Sequence, residues 1–244
     1  MGDQVASNGW TAVPVDASKI FRDGAFRKPD PILTNSIEFP SDPLVLEVQA
    51  YAKDHLPWET YNHSMRVFYF GKAGMAILKQ QFPEHANTFS PSTLALTALL
   101  HDIGVTKENL AATHMSFEFY GGIKALNLLQ TLGGGRDQAE AVCEAIIRHQ
   151  DLGTDGTITL LGQVIQLATI YDNVSSYPTI PGFDKIIHEK TREDVIRAFP
   201  RTGWLACFSK VLKEEERLKP WCHTTHIPDF EKHVLSNQLM RPYE

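Results

Sequence analysis

Cysteine is scarce in this chain of 244 residues: Cys143, Cys207 and Cys222 stand far apart, and no pair has CxxC spacing. That argues against a cysteine zinc module or a disulfide framework and predicts a reduced, cytoplasmic chain. A thiol nucleophile at Cys222, close to His223 and His226, competes there with a small half-buried residue beside Trp221. Positive charge is in deficit, with a formal net charge of -6, so no basic face for nucleic acid is expected. No apolar run approaches the ~20 residues that cross a bilayer, so no membrane is expected. The first ten residues lack both the basic and the apolar stretch of a secretory signal. Gly2 is followed by Ala6 where a myristoylation site wants Ser or Thr. Also missing are a glycine-rich phosphate loop, convincing alternating strands, internal repeats and low-complexity tracts.

What remains is an ordinary globular composition, 43% hydrophobic, long enough for one large domain with a real core. Residues 1–40 are punctuated by Pro14, Gly24, Pro29, Pro31 and Pro40, and read as an irregular arm held on the domain through Trp10, Phe21 and Phe39. From residue 41 to 244 the rhythm is helical. Leu44, Val45, Val48 and Ala52 recur at 3.6-residue spacing. Pro57 opens a helix running to about Phe82, and Ser90-Pro91 opens one ending at His101-Asp102. Ser116 is expected to cap a helix stopped by residues 133–135 (Gly-Gly-Gly), and Asp137 to begin one ending at His149. Thr159 opens a long apolar helix, and further helices are predicted over 191–199, over 204–218 and after Pro228. The fold class is all-α, a single helical bundle with short turns.

The pair His101-Asp102 closes the apolar run 94–100 and is followed by Gly104. Two ligand-type side chains at a helix end can turn toward one point; taken alone, the dipeptide reads as a capping pair, and it is its helical context and outer partners that point to a metal. Upstream, His63 lies in a helical stretch. Downstream, Asp172 lies inside an apolar helix, where an unpaired carboxylate is costly. His63, His101, Asp102 and Asp172 would present two imidazoles and two carboxylates to one divalent ion, a set suited to zinc, with iron (Fe2+) or manganese (Mn2+) as alternatives. Such a site lowers the pKa of bound water toward ~7. Arg66, three residues after His63, is positioned to hold a second carboxylate such as Asp102 or to bind a phosphate. Lys107, in the loop after the pair, is a proton-shuttle candidate or a solvated side chain.

The order His…His-Asp…Asp resembles the HD superfamily of metal-dependent hydrolases. Two-metal members carry further histidines, where this chain has Glu118 and only His149, so one metal per chain is expected. His149 then lines the pocket as a proton-handling group. The resemblance is closer still to fungal cyanamide hydratase. It rests on residues 8–14 (Asn-Gly-Trp-Thr-Ala-Val-Pro), 61–69 (Tyr-Asn-His-Ser-Met-Arg-Val-Phe-Tyr), 100–104 (Leu-His-Asp-Ile-Gly), 115–124 (Met-Ser-Phe-Glu-Phe-Tyr-Gly-Gly-Ile-Lys), 145–149 (Ala-Ile-Ile-Arg-His) and 219–228 (Lys-Pro-Trp-Cys-His-Thr-Thr-His-Ile-Pro). The resemblance implies a zinc enzyme that adds water to the nitrile of cyanamide, by attack of metal-bound hydroxide, and yields urea. His149, Glu118 and Lys107 are then the catalytic candidates. Phe117, Tyr120, Trp204 and His223 are the substrate-binding candidates. His223 and His226 either fold over the pocket or pin the C-terminal helix. Hydration of another small nitrile or an isocyanide, and nucleotide phosphohydrolysis, are the alternatives. The substrate is a small molecule; a homo-oligomer is left open.

Overall fold

A computed structural model describes residues 6–20, 28–73 and 89–244. It is all-α, with ten α-helices among the described residues. They are α1 (Pro43–His55), α2 (Trp58–Ala73), α3 (Pro91–Leu100), α4 (Lys107–Ala112), α5 (Phe117–Thr131), α6 (Arg136–Ile147), α7 (Leu160–Asn173), α8 (Glu189–Ala198), α9 (Trp204–Leu218) and α10 (Phe230–Leu235). The expected continuation of α2 toward Phe82, and Phe21 and Gly24 of the arm, lie outside the described residues.

Local chemistry accounts for most starts. Asp42 accepts from the Val45 amide and Pro43 supplies a preset first turn. Ser90 caps α3 through the Thr93 amide, and Thr159 caps α7 through the Gly162 amide. In α3 every residue from Thr93 to Leu100 is buried, and in α7 every residue is buried. Helices buried on all sides belong at the centre. Helix α2 packs against both, α1 and α6 cover α3, and α5 lies along α6.

Three expectations are corrected. A short antiparallel pair exists, β1 (Ala12–Pro14) on β2 (Thr157–Thr159), with Val13 opposite Ile158; three residues are too few to show an alternation. Ser116 precedes α5 but makes no side-chain cap bond; its Oγ instead accepts from the His223 amide at 2.8 Å. Helix α8 begins two residues before Thr191, capped by the His188 ring, because histidine is not among the residue types that signal a cap. In the arm, Trp10 and Phe39 pack against the main core.

Gly104 does not end α3 itself. It lies in a 3-10 turn, Ile103–Val105, pressed against the start of α5. A Cβ there would fall 2.1 Å from the Phe117 carbonyl oxygen, so only glycine lets the turn after Asp102 dock on α5.

Candidate metal centre

Two helices deliver the cluster. His63 projects from the first half of α2, His101 caps the C-terminus of α3, and Asp102 follows it. All three are at most 1% exposed. The Nε2 atoms of His63 and His101 are 3.2 Å apart. Asp102 Oδ2 lies 3.3 Å from His101 Nε2 and 3.6 Å from His63 Nε2.

The remaining ring atoms say what those three atoms are for. His101 Nδ1 lies 2.8 Å from the Ala98 carbonyl, which can only accept, so Nδ1 carries the proton. His63 Nδ1 lies 2.7 Å from Asp172 Oδ2 and donates to it in the same way. With both protons committed, two Nε2 lone pairs face each other. Asp102 Oδ2, buried among them, has no hydrogen-bond partner. Two converging lone pairs and an orphaned carboxylate oxygen need a cation or a proton between them. The donor set of two imidazoles and a carboxylate fits a divalent transition metal. Burial drives His63 down to about 4, despite Asp172. For His101, burial is outweighed by the Asp102 charge, which holds it above its usual value. Burial also opposes the charge on Asp102, but His101 and His63 hold its carboxyl well below the usual range.

Asp172, expected as the fourth ligand, is not brought into that group; it sits behind His63. Its Oδ2 takes His63 Nδ1 and Arg66 Nη2 at 2.7 and 2.9 Å, and its Oδ1 takes Arg66 Nε and Arg201 Nη1 at 3.0 and 2.5 Å. Both oxygens are therefore occupied. Arg66 holds Asp172, not Asp102 as its sequence position suggested, and its Nη1 donates to the Phe199 and Pro200 carbonyls. Arg201, also paired with Glu244 at 2.5 Å, carries no sequence signal: it follows a proline in a loop, outside any periodic stretch.

His149 follows α6, 2% exposed. Its Nδ1 donates to the Ile146 carbonyl at 2.7 Å, and its Nε2 lies 4.0 Å from Asp102 Oδ1. Burial and the neighbouring His101 lower its pKa, against the pull of Asp102 and Glu118. Phe117 packs edge-on to His149, with ring centroids 5.8 Å apart. The Trp204 ring stacks on His63 at 4.2 Å, fixed by its Nε1 bond to Asn173. Glu118 is wholly buried; Oε1 accepts from His223 Nδ1 at 2.7 Å, and Oε2 has no partner. Lys107 is not in this group: it is exposed at the start of α4. Tyr120 is half-buried beside Lys124 on a more open part of α5. Cys222 is buried, and burial with Glu215 nearby pushes its thiol to about 11, so it stays protonated and unreactive. Glu215, unremarked in the sequence, is buried and links the start of α5 to the segment around Thr224 by accepting from the Phe117 amide and the Thr224 hydroxyl.

The bond to Glu118 raises the pKa of His223 against burial, with Asp151 and Glu215 adding to the rise. A raised native pKa stabilises the fold fully below the unfolded value of ~6.5 and loses that contribution as pH climbs through the native value. Wild type is therefore expected to lose more stability than His223→Gln between mildly acidic and alkaline pH. Denaturant midpoints that shift in parallel would show that the pair contributes nothing.

Fold and site together define an all-α protein with a buried His/His/Asp centre of metal-ligating type. No family model matches the chain. Two Saccharomyces cerevisiae proteins, cyanamide hydratase DDI2 and cyanamide hydratase DDI3, are each 44% identical to it over 192 residues, covering 78% of this chain and 80% of theirs. The chain belongs to the cyanamide hydratase family. No helix among the described residues is long and apolar enough to cross a membrane.

Proposed function

We propose that this chain adds water to cyanamide and releases urea, using one tightly held divalent metal, zinc, at His63, His101 and Asp102. The observation that carries the reading is the convergence of two Nε2 lone pairs on the unpartnered Oδ2 of Asp102, in a chain 44% identical to proteins named cyanamide hydratase. A divalent ion held by His63, His101 and Asp102 would supply Lewis-acid activation of water at neutral pH. The order His63…His101-Asp102…Asp172 supports placing the chain in the HD superfamily. Asp172 serves by holding the His63 ring and its tautomer rather than as a direct ligand. We read residues 1–40 as an arm of the unit formed by 41–244. Three free cysteines support a reducing compartment such as the cytoplasm.

Cyanamide is small and uncharged, so it needs a narrow apolar wall and no phosphate clamp. Phe117 and Trp204 supply that wall on two sides of the cluster. In the addition, a C–O bond forms at the nitrile carbon, one C–N π bond breaks, and the nitrile nitrogen takes a proton. His149 suits this transfer: its Nδ1 proton is fixed by Ile146, and its depressed pKa keeps Nε2 free to accept the proton from water and return it to nitrogen. The isourea then tautomerises to urea by moving one proton from oxygen to nitrogen. Glu118 favours the protonated state of His149 by its charge, and half-buried His223 connects Glu118 to solvent.

Urea formed from cyanamide by the purified chain, abolished by chelation and restored by zinc, tests the reaction; no urea from the zinc-loaded chain refutes it. Phosphate released from nucleoside monophosphates would favour a phosphohydrolase instead. His149→Ala is expected to keep its metal and lose ~10²–10⁴-fold in turnover. Elemental analysis showing metal lost with the ring would make His149 a ligand, and a near-wild-type rate would make it a helix-end residue only.

A further inference from the structure

Outside the buried centre, Asp151, His223 and His226 bring one ligand atom each to within 4.8 Å of the others. The two histidines bound a 3-10 turn, His223–His226. Three residues per turn eclipse positions i and i+3, and the rings accordingly stack, with centroids 4.0 Å apart and planes 19° from parallel. Each ring has its Nδ1 proton committed: His223 donates to Glu118 Oε1 at 2.7 Å, and His226 to the His223 carbonyl at 2.5 Å. Both Nε2 lone pairs are thereby left open, in the tautomer that metal-binding histidines adopt when a carboxylate or carbonyl holds the other nitrogen. Asp151 arrives from the loop after α6. Its Oδ2 is taken by Arg148 Nε and Nη2, at 2.9 and 2.7 Å, and Oδ1 remains for a cation. His226 is exposed and the other two are half-buried, so an ion reaches this place directly from solvent. Two imidazoles and a carboxylate favour zinc or a similar borderline ion over magnesium or calcium, which want oxygen ligands.

We propose that Asp151, His223 and His226 form a second, weaker and exchangeable site for a zinc-like ion, whose occupancy slows turnover by capturing His223. The inhibition rests on the reading of His223 as the solvent end of the Glu118 pair; the binding does not.

The experiment starts from the chain carrying one equivalent of zinc and measures further uptake by equilibrium dialysis and metal analysis. Wild type, His226→Gln and Asp151→Asn are compared, each assayed for cyanamide hydration relative to its own rate without added zinc. Wild type is expected to take up a second equivalent. Each variant should retain the first equivalent, which certifies its fold, and bind the second more than about tenfold more weakly, since even an outer partner of a metal site is worth ~10–100-fold. Added zinc should slow wild type and spare both variants. No second equivalent in wild type, or one held unchanged by both variants, overturns the site. A second equivalent lost in the variants but without effect on wild-type turnover leaves the site standing and overturns the role of His223 in turnover.

Discussion

Asp102→Ala and His101→Ala are expected to yield protein with no tightly bound metal and with urea formation at background. Each substitution deletes one of the three converging atoms proposed to hold the metal. Neither loss can be made good locally, because both oxygens of Asp172 are engaged by His63, Arg66 and Arg201. Lewis-acid activation is worth several kcal/mol of transition-state stabilisation, and every ~1.4 kcal/mol is a factor of ten in rate. Chelation of wild type should reproduce the loss and lower the melting temperature, since a ligand that binds only the folded state stabilises it. It also returns Asp102 Oδ2 to the state of a buried carboxylate oxygen without a partner. Full zinc occupancy in Asp102→Ala, by elemental analysis, would remove Asp102 from the ligand set.

Asp172→Ala is expected to cost most in stability. Asp172, Arg66 and Arg201 are all fully buried, and the carboxylate is the shared partner of both guanidiniums. Removing one member of a buried ion pair leaves uncompensated charge and costs ~3–5 kcal/mol, against a total folding stability of typically ~5–15 kcal/mol. Burial opposes the charge on Asp172, but Arg201 and Arg66 hold its carboxyl far below the usual carboxylate range. A depressed native pKa makes the contribution fully present above the unfolded value of ~3.9 and lost only as pH falls toward the native one. The destabilisation should therefore be constant through neutral pH and shrink in strong acid. It should appear equally in chelated protein, which separates it from ligand loss. A denaturant midpoint unchanged in the metal-free variant would show that the two arginines do not depend on Asp172.

Much of the architecture is written locally. The Asp42-Pro43 and Ser90-Pro91 starts, the Thr159 cap and the largely apolar runs of α3 and α7 depend on neighbours within one or two helical turns. So does the placement of His101-Asp102 at a helix end. These features were legible because caps and periodicity are short-range. The three-residue strand in the arm and the histidine cap of α8 escaped because one is too short for a pattern and the other is an uncommon cap.

The sequence by itself determined an all-α bundle, its buried helices, and a His, His and Asp able to share an ion. Only the tertiary structure decided how those side chains divide the work. Asp172 and Arg66 are 106 residues apart, His223 and Glu118 105, and Arg201 and Glu244 43. Periodicity states that a side chain is buried but not which atoms it meets across the core. Packing of α2 against α7 turned Asp172 onto the far nitrogen of His63. The docking of Gly104 on α5 set Asp102 beside the His149 side of the cluster and left Lys107 outside. A one-dimensional pattern cannot carry such choices, because they depend on contacts that form only when distant helices meet.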